Sequence, residues 1–223
     1  MRRRWSGLPI RVRAAVTALG FLLALFALWS AVDWALPSTL LTARLLEREH
    51  LFGPGEVAAR GEILLGDEAT GDRYVILRSG DKFASVALER IYGVLWQPNV
   101  YGGFFIMAPS EERPLAYSFL DRATRTSVSA GRSQITGSHY QLAVSTYDPA
   151  VERVEATMAL VPLLLEPEEE EAWLAEHGVT EACVPAGDQV WTVSLTLPQN
   201  GGRTAVRLRG YGADGALIYD VGY

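Results

Sequence analysis

The chain of 223 residues carries 20 basic and 26 acidic side chains, a net charge of −6, with 49 % hydrophobic residues and one cysteine. This globular composition excludes wholesale disorder, collagen-like repeats and a multi-pass membrane protein. A single cysteine excludes an intrachain disulfide framework and any zinc site that needs two cysteines of one chain.

The first 13 residues hold Arg2, Arg3, Arg4, Arg11 and Arg13 and no acid, which leaves 15 basic and 26 acidic residues beyond them, a net −11. An acidic body argues against nucleic acid as a partner. Residues 14–32 (AAVTALGFLLALFALWSAV) then run 19 residues without a charge, bracketed by Arg13 and Asp33. As a helix this run spans roughly 28 Å, close to the hydrocarbon thickness of a bilayer. Trp5 on the arginine side and Trp29 and Trp34 at the far end sit where interfacial aromatics belong. The arginines are expected to hold the N-terminus in the cytoplasm and the rest of the chain outside.

A buried core helix would have to explain the all-arginine flank. A cleaved signal peptide needs small residues at −1 and −3. For cleavage after Ala31, Ala35 or Ser30 the −3 residues are Trp29, Asp33 and Leu28, none of them small. Cys183 is too distant to be a lipoprotein acylation site. The expectation is therefore an uncleaved single-pass anchor in the cell membrane over residues 14–36. A cytoplasmic tail, residues 1–13, would precede it and an extracytoplasmic domain follow. So short a tail holds no output domain, which restricts function to the far side of the membrane.

Pro37 ends the anchor, and residues 38–50 (STLLTARLLEREH) predict a short helix with Ser38 as N-cap. Leu41, Leu45 and Leu46 share a face that is expected to lie on the membrane or to pair with another copy. Phe52-Gly53-Pro54-Gly55 breaks the helix and ends a juxtamembrane segment over residues 37–55.

From Glu56 the pattern turns to β. Residues 73–79 (RYVILRS) and 82–90 (KFASVALER) around Gly80-Asp81 predict a hairpin with a type II′ turn. Residues 92–96 and 99–107 follow, split by Gln97-Pro98, with a bulge or bend at Gly102-Gly103. Further strands are expected at 115–120, 124–130, 140–147, 151–161, 189–197, 204–211 and 216–221. Residues 151–161 alternate early and then slip; in 189–197 Val190, Thr192, Ser194 and Thr196 oppose Trp191, Val193, Leu195 and Leu197. Asn200-Gly201-Gly202 and Asp214-Gly215 supply the last turns. One helix interrupts the strands, over residues 167–177: proline opens it, glutamates fill its first turn, His177 closes it and Gly178 follows.

The predicted fold is mainly β. A transmembrane helix precedes one large or two small antiparallel sandwich-like modules with one short inserted helix. Two modules, residues 56–136 and 137–223, are favoured.

The run GDRYVILRSGDKFASVALERIYGVLW (residues 71–96) and the later LRGYGADGALIYD (residues 208–220) resemble membrane-anchored extracytoplasmic proteins of Gram-positive bacteria. The resemblance implies the same topology and no catalytic assignment.

Candidate chemistry is sparse. Cys183 and His177 are the one Cys–His pair close in sequence, but the acids around Cys183 work against a thiolate. Glu168–Glu171 sit on consecutive helix positions, which diverge and do not wrap a cation. His139 beside Ser138 and Tyr140 lacks a nucleophile elbow or triad spacing, and His50 belongs to the juxtamembrane segment. No phosphate loop, dinucleotide fingerprint or zinc-protease motif is present. Tyr92, Trp96, Tyr101, Phe104 and Phe105 form the densest aromatic stretch, expected to pack mainly in the core. No catalytic, cofactor or metal residue is therefore predicted. The expected function is a membrane-anchored binding or structural protein of the cell envelope, with an envelope protein or the cell wall as partner. The alternative is a membrane-tethered hydrolase acting on envelope material.

Overall fold

The computed structural model describes residues 9–32, 35–65, 68–99, 102–129, 132–198 and 202–223. The expectations for Arg2, Arg3, Arg4, Trp5, Asp33, Trp34, Tyr101, Asn200 and Gly201 fall outside them. The uncharged run forms α1 (Ile10–Val32), one turn longer at its start than the apolar stretch because Arg11 and Arg13 are themselves good helix formers. No residue of its apolar span, Ile10–Trp29, is buried.

Four residues later the chain is already fastened. Leu36 exchanges both backbone hydrogen bonds with Trp96, at 3.0 and 2.8 Å. The next helix, α2 (Thr39–Glu49), packs on the body through Thr42, Ala43, Leu46 and Glu47. Of the expected leucine face, Leu46 is buried in this contact while Leu41 stays 54 % exposed. The small side chains let the helix approach the sheet closely. Ser38 is extended (φ −140°) but makes no side-chain cap. The segment that follows is packed: Phe52 is buried, and the N–H of Gly55 donates to the Glu47 carboxylate at 3.0 Å.

Strands make up 53 % of the described residues, so the protein is mainly β. In chain order they begin with β1 (Glu56–Leu65), β2 (Glu68–Ser79), β3 (Lys82–Ile91), β4 (Leu95–Pro98), β5 (Phe104–Met107), β6 (Leu115–Ser129) and β7 (Arg132–Thr146). Then come β8 (Arg153–Val161), helix α3 (Pro167–His177), β9 (Val179–Ala182), β10 (Val184–Gly187), β11 (Val190–Leu197), β12 (Arg203–Tyr211) and β13 (Leu217–Gly222). A curled antiparallel sheet has the order β4-β3-β2-β1-β10-β11-β7-β6, with β5 also paired to β3. A second sheet has the order β13-β12-β8-β9. The junction expected near residues 133–138 lies inside β7. Strands β10 and β11 from late in the chain complete the sheet begun by β1–β7, so the two sheets are not successive stretches of sequence.

The β2–β3 hairpin forms at the expected register, Ser79 opposite Lys82, with Gly80 in the left-handed region at φ +65°. Both its faces are covered. Tyr74, Ile76, Phe83 and Ala87 point inside the curl, while Val75, Leu77, Ala84, Val86 and Leu88 lie under α2. This two-sided burial is why the sequence reads as continuous apolar runs. The same logic explains the slip in residues 151–161. Val154, Ala156, Met158 and Leu160 face the curled sheet, whereas Ala159 and Val161 face α3 with Leu174 and Ala205. In β11 the expected alternation holds: Trp191, Val193, Leu195 and Leu197 fill the layer between the sheets, and Val190 points into the curl.

The curl closes through side chains. Among the described residues no ladder joins β6 to β5 or β3, but Ser85 and Ser118 hydroxyls meet at 2.6 Å between β3 and β6. Of the bulge or bend expected at Gly102-Gly103, the bend is found: both glycines lie between β4 and β5, and Ala87 of β3 bonds to Asn99 and Gly102 there. A Cβ on Gly102 would sit 2.5 Å from both the Leu120 carbonyl oxygen and the Ala87 Cβ, so only glycine lets β6 come this near.

Candidate functional site

Just beyond this seam a cleft of about 550 Å³ opens between β5, β6 and the C-terminal Tyr223. Phe104, Phe105 and Ile106 form one wall, Tyr117 and Phe119 the other, and Met107, Ala116 and Ser118 the floor. Alternation along β6 places Tyr117 and Phe119 on one face while Ala116, Ser118 and Leu120 turn into the curl. The aromatic rings lock edge to face: Tyr117 lies 5.0 Å from Tyr223 and 5.7 Å from Phe119, at 75° and 85°. The Tyr223 O–H donates to the Leu115 carbonyl, which anchors the last residue to the start of β6. At the rim the Arg113 guanidinium stands over the Tyr223 ring at 5.4 Å. Burial pushes the Tyr117 and Tyr223 phenols above their usual range; the Arg113 charge partly offsets this for Tyr223. Both stay protonated at neutral pH. The cleft thus offers apolar faces, phenol hydroxyls and one cation.

Arg113 and Tyr223 also border a second, polar hollow of about 490 Å³ beside α3. Its charges are spent on one another. Arg207 grips Asp220 through two hydrogen bonds, 2.6 and 2.8 Å, and Glu171 through a third, 2.9 Å. This pairing holds the Asp220 carboxyl below the ordinary range. A broader depression of about 770 Å³ lies where α2 turns into Gly53–Gly55, and its Arg44–Glu47 pair is likewise internal.

The residues singled out in the sequence fall elsewhere. Cys183 is buried in the layer between the sheets; burial, then the Glu155 charge, pushes its thiol up to about 12. At neutral pH that thiol stays protonated and enclosed. His177 stacks on Trp173 at 3.9 Å, and His139 bonds to Thr196, its partner across β7 and β11, at 2.7 Å. Ser138 is buried, and so is Tyr140, whose phenol has no hydrogen-bond partner among the described residues. His50 stacks on Phe104 at 4.7 Å. Of the four glutamates opening α3, Glu168 and Glu169 face solvent, but Glu170 pairs with Arg203 and Glu171 with Arg207. Among the described residues no three His, Cys, Asp or Glu side chains gather to hold a metal.

The expected core role of the aromatic stretch holds in part: Trp96 and Phe104 pack against the core under α2, whereas Tyr92 and Phe105 are exposed. Tyr92 is 72 % and Phe105 52 % exposed, Trp96 lies between Arg73 and Arg90, and Phe104 is half-buried against Phe52. They sit on β4, β5 and the turn before them at the rim of the sheet, where only one face is covered. The cleft residues Arg113, Tyr117, Phe119 and Tyr223 were not singled out in the sequence. The Tyr-x-Phe alternation in β6 was its one local signal.

A family described as a domain of unknown function, DUF5044, matches residues 37–158, more than half of the chain. The chain belongs to this family. The match starts as the chain enters α2 and ends within β8, so it covers α2, the β2–β3 hairpin and the cleft except for Tyr223. No curated protein matches the chain.

Proposed function

We propose that the protein is a membrane-anchored, extracytoplasmic binding protein of the cell envelope: α1 spans the membrane, the N-terminus is cytoplasmic, and the β body faces outward. One observation carries this reading. A helix of 23 residues with its apolar span wholly unburied runs directly into a well-packed body. Leaving so much apolar surface in water would cost far more than a domain's net stability, so a bilayer is its natural medium. The arginines before the helix favour a cytoplasmic start. The resemblance to anchored extracytoplasmic proteins of Gram-positive bacteria agrees with that orientation.

The cleft suits binding over bond-breaking. Its groups are aromatic faces and a guanidinium, while the buried Cys183 thiol and the Thr196-bound His139 stand apart from it. A partner that places an apolar group beside a carboxylate, as an envelope protein or a wall peptide can, would use both the rings and Arg113. The topology is tested by fusing a reporter active only outside the cytoplasm after Tyr223 and sequencing the mature N-terminus. The expected result is an active reporter on an uncleaved chain. A silent reporter overturns the orientation, and a mature chain starting near Ser30 overturns the anchor.

A further inference from the structure

Several exposed apolar groups share the end of the body from which α1 departs. Strand β3 ends at Ile91, and the chain turns through Tyr92, which is 72 % exposed with φ +48°, and Val94, 60 % exposed. The Trp29 ring near the end of α1 packs 5.5 Å from Tyr92. Strand β6 runs in the same direction as β3, with Ser118 beside Ser85 and Leu120 beside Gly102. The far ends of β6, β7 and β11 therefore lie at this same end, Leu197 opposite Ser138. Strand β12 starts there at Arg203, paired with Val161, the last residue of β8. The loop after Val161 exposes Leu163 by 75 % and Leu164 by 95 %.

Beyond Ala123 opposite His139, β6 and β7 continue as a two-stranded ribbon to Ser129 opposite Arg132, past the last pairing of β7 with β11. The sequence of this region includes Arg122, Arg125 and Arg132, and no acid occurs from Arg122 to Tyr147, within a strongly acidic body. Fully exposed leucines and an aromatic turn are costly on a water-facing surface, and their clustering marks an interaction face. Their continuity with α1 names the partner.

We propose that this end of the body rests on the lipid bilayer, with Tyr92, Val94, Leu163 and Leu164 entering the headgroup–acyl boundary and the basic ribbon lying over the headgroups. The proposal builds on the reading of α1 as a membrane span. Tyrosine and aliphatic tips suit that boundary, and arginines favour phosphate-bearing headgroups. The acids nearby, Glu68 and Asp72 on β2 and Glu166, Glu168 and Glu169 around the start of α3, keep the contact shallow, since they must remain in water.

The test uses the full chain in phosphatidylcholine vesicles with and without phosphatidylglycerol. Single cysteines are introduced as Leu164→Cys, Val94→Cys, Leu25→Cys in α1 and Glu152→Cys at the opposite end, and each is labelled with an environment-sensitive dye. Cys183 stays in place, because burial makes it unreactive at neutral pH. Dyes at 164 and 94 should be quenched by a headgroup nitroxide lipid and shielded from iodide, with the reverse at 152. Phosphatidylglycerol should deepen the shielding at 94. If 164 and 94 stay open to iodide while the dye at 25 is quenched by lipid, the body stands off the bilayer and the proposal falls, though the anchor stands. If the dye at 25 also escapes lipid quenching, the anchor reading itself fails. Shielding at 164 and 94 without lipid quenching means that a second copy covers this end, which also overturns the proposal.

Discussion

The two hairpins β2–β3 and β6–β7 are built from the same antiparallel ladder and differ in what covers them. Between α2 and the interior of the curl, β2–β3 is buried on both faces, and nearly every residue of its middle is apolar. The β6–β7 hairpin starts equally well covered, between the curl and the second sheet, and then outruns its neighbour β11. From that point its sequence changes to serine, threonine and arginine. Ladder hydrogen bonds alone therefore do not decide where apolar residues go; the layer lying over each strand does. A two-stranded ladder without a third strand is marginal by itself, so β6–β7 should be most stable where β11 pairs with it and least stable beyond.

The largest expected effect comes from uncovering the stable hairpin. Ile76→Ala removes a fully buried side chain from the curl and should cost about 2–5 kcal/mol, read by urea unfolding of the full chain in detergent. A loss under about 1 kcal/mol would mean that the hairpin is no better packed than the ribbon. Next comes the seam where the two hairpins approach. Gly102→Ala drives a methyl group into the Leu120 carbonyl and should cost about 1–3 kcal/mol. It should also speed amide exchange at the free edge of β6 without touching the β2–β3 turn.

Asp121 at this seam gives a smaller, pH-dependent effect. Burial raises its carboxyl above the usual value, against the opposing hydrogen bonds from Arg122 N–H and the Asn99 side chain. A raised folded-state value means that its stabilising share is full at low pH and is lost as pH rises through that value. Asp121→Asn should therefore stabilise the body at neutral pH, and the advantage should vanish below the ordinary carboxylate range. A melting series in which the variant gains most at low pH would contradict the assignment. The smallest effect belongs to the ribbon. Amides of the ribbon, which lie beyond the last pairing of β7 with β11, should exchange far faster than those of β2 and β3.

Much of this architecture was legible in the sequence because local signals agreed. Gly80-Asp81 set the β2–β3 register, and Pro167 with Gly178 bracketed α3. Other features were hidden for physical reasons. The strands expected at 115–120 and 124–130 are one strand, since the polar break at Asp121 is a bulge in the ladder and not a turn. The four-residue strands β9 (VTEA) and β10 (VPAG) are too short and polar to show a period. In helix α2 only Leu46 of the leucine face is buried, and Thr42 and Ala43, which gave no apolar signal, share its contact. The cleft was least visible of all: Arg113, Tyr117 and Tyr223 are joined only when the C-terminal strand folds back beside β6.

The double hydrogen bond between Leu36 and Trp96 carries a mechanical consequence. A helix joined to a globular body through a loose tether lets that body wander over a hemisphere set by tether length. Here Leu36 is already fastened to Trp96 four residues past the end of α1, so the tether is short and the body, with its cleft, keeps close to whatever holds the helix.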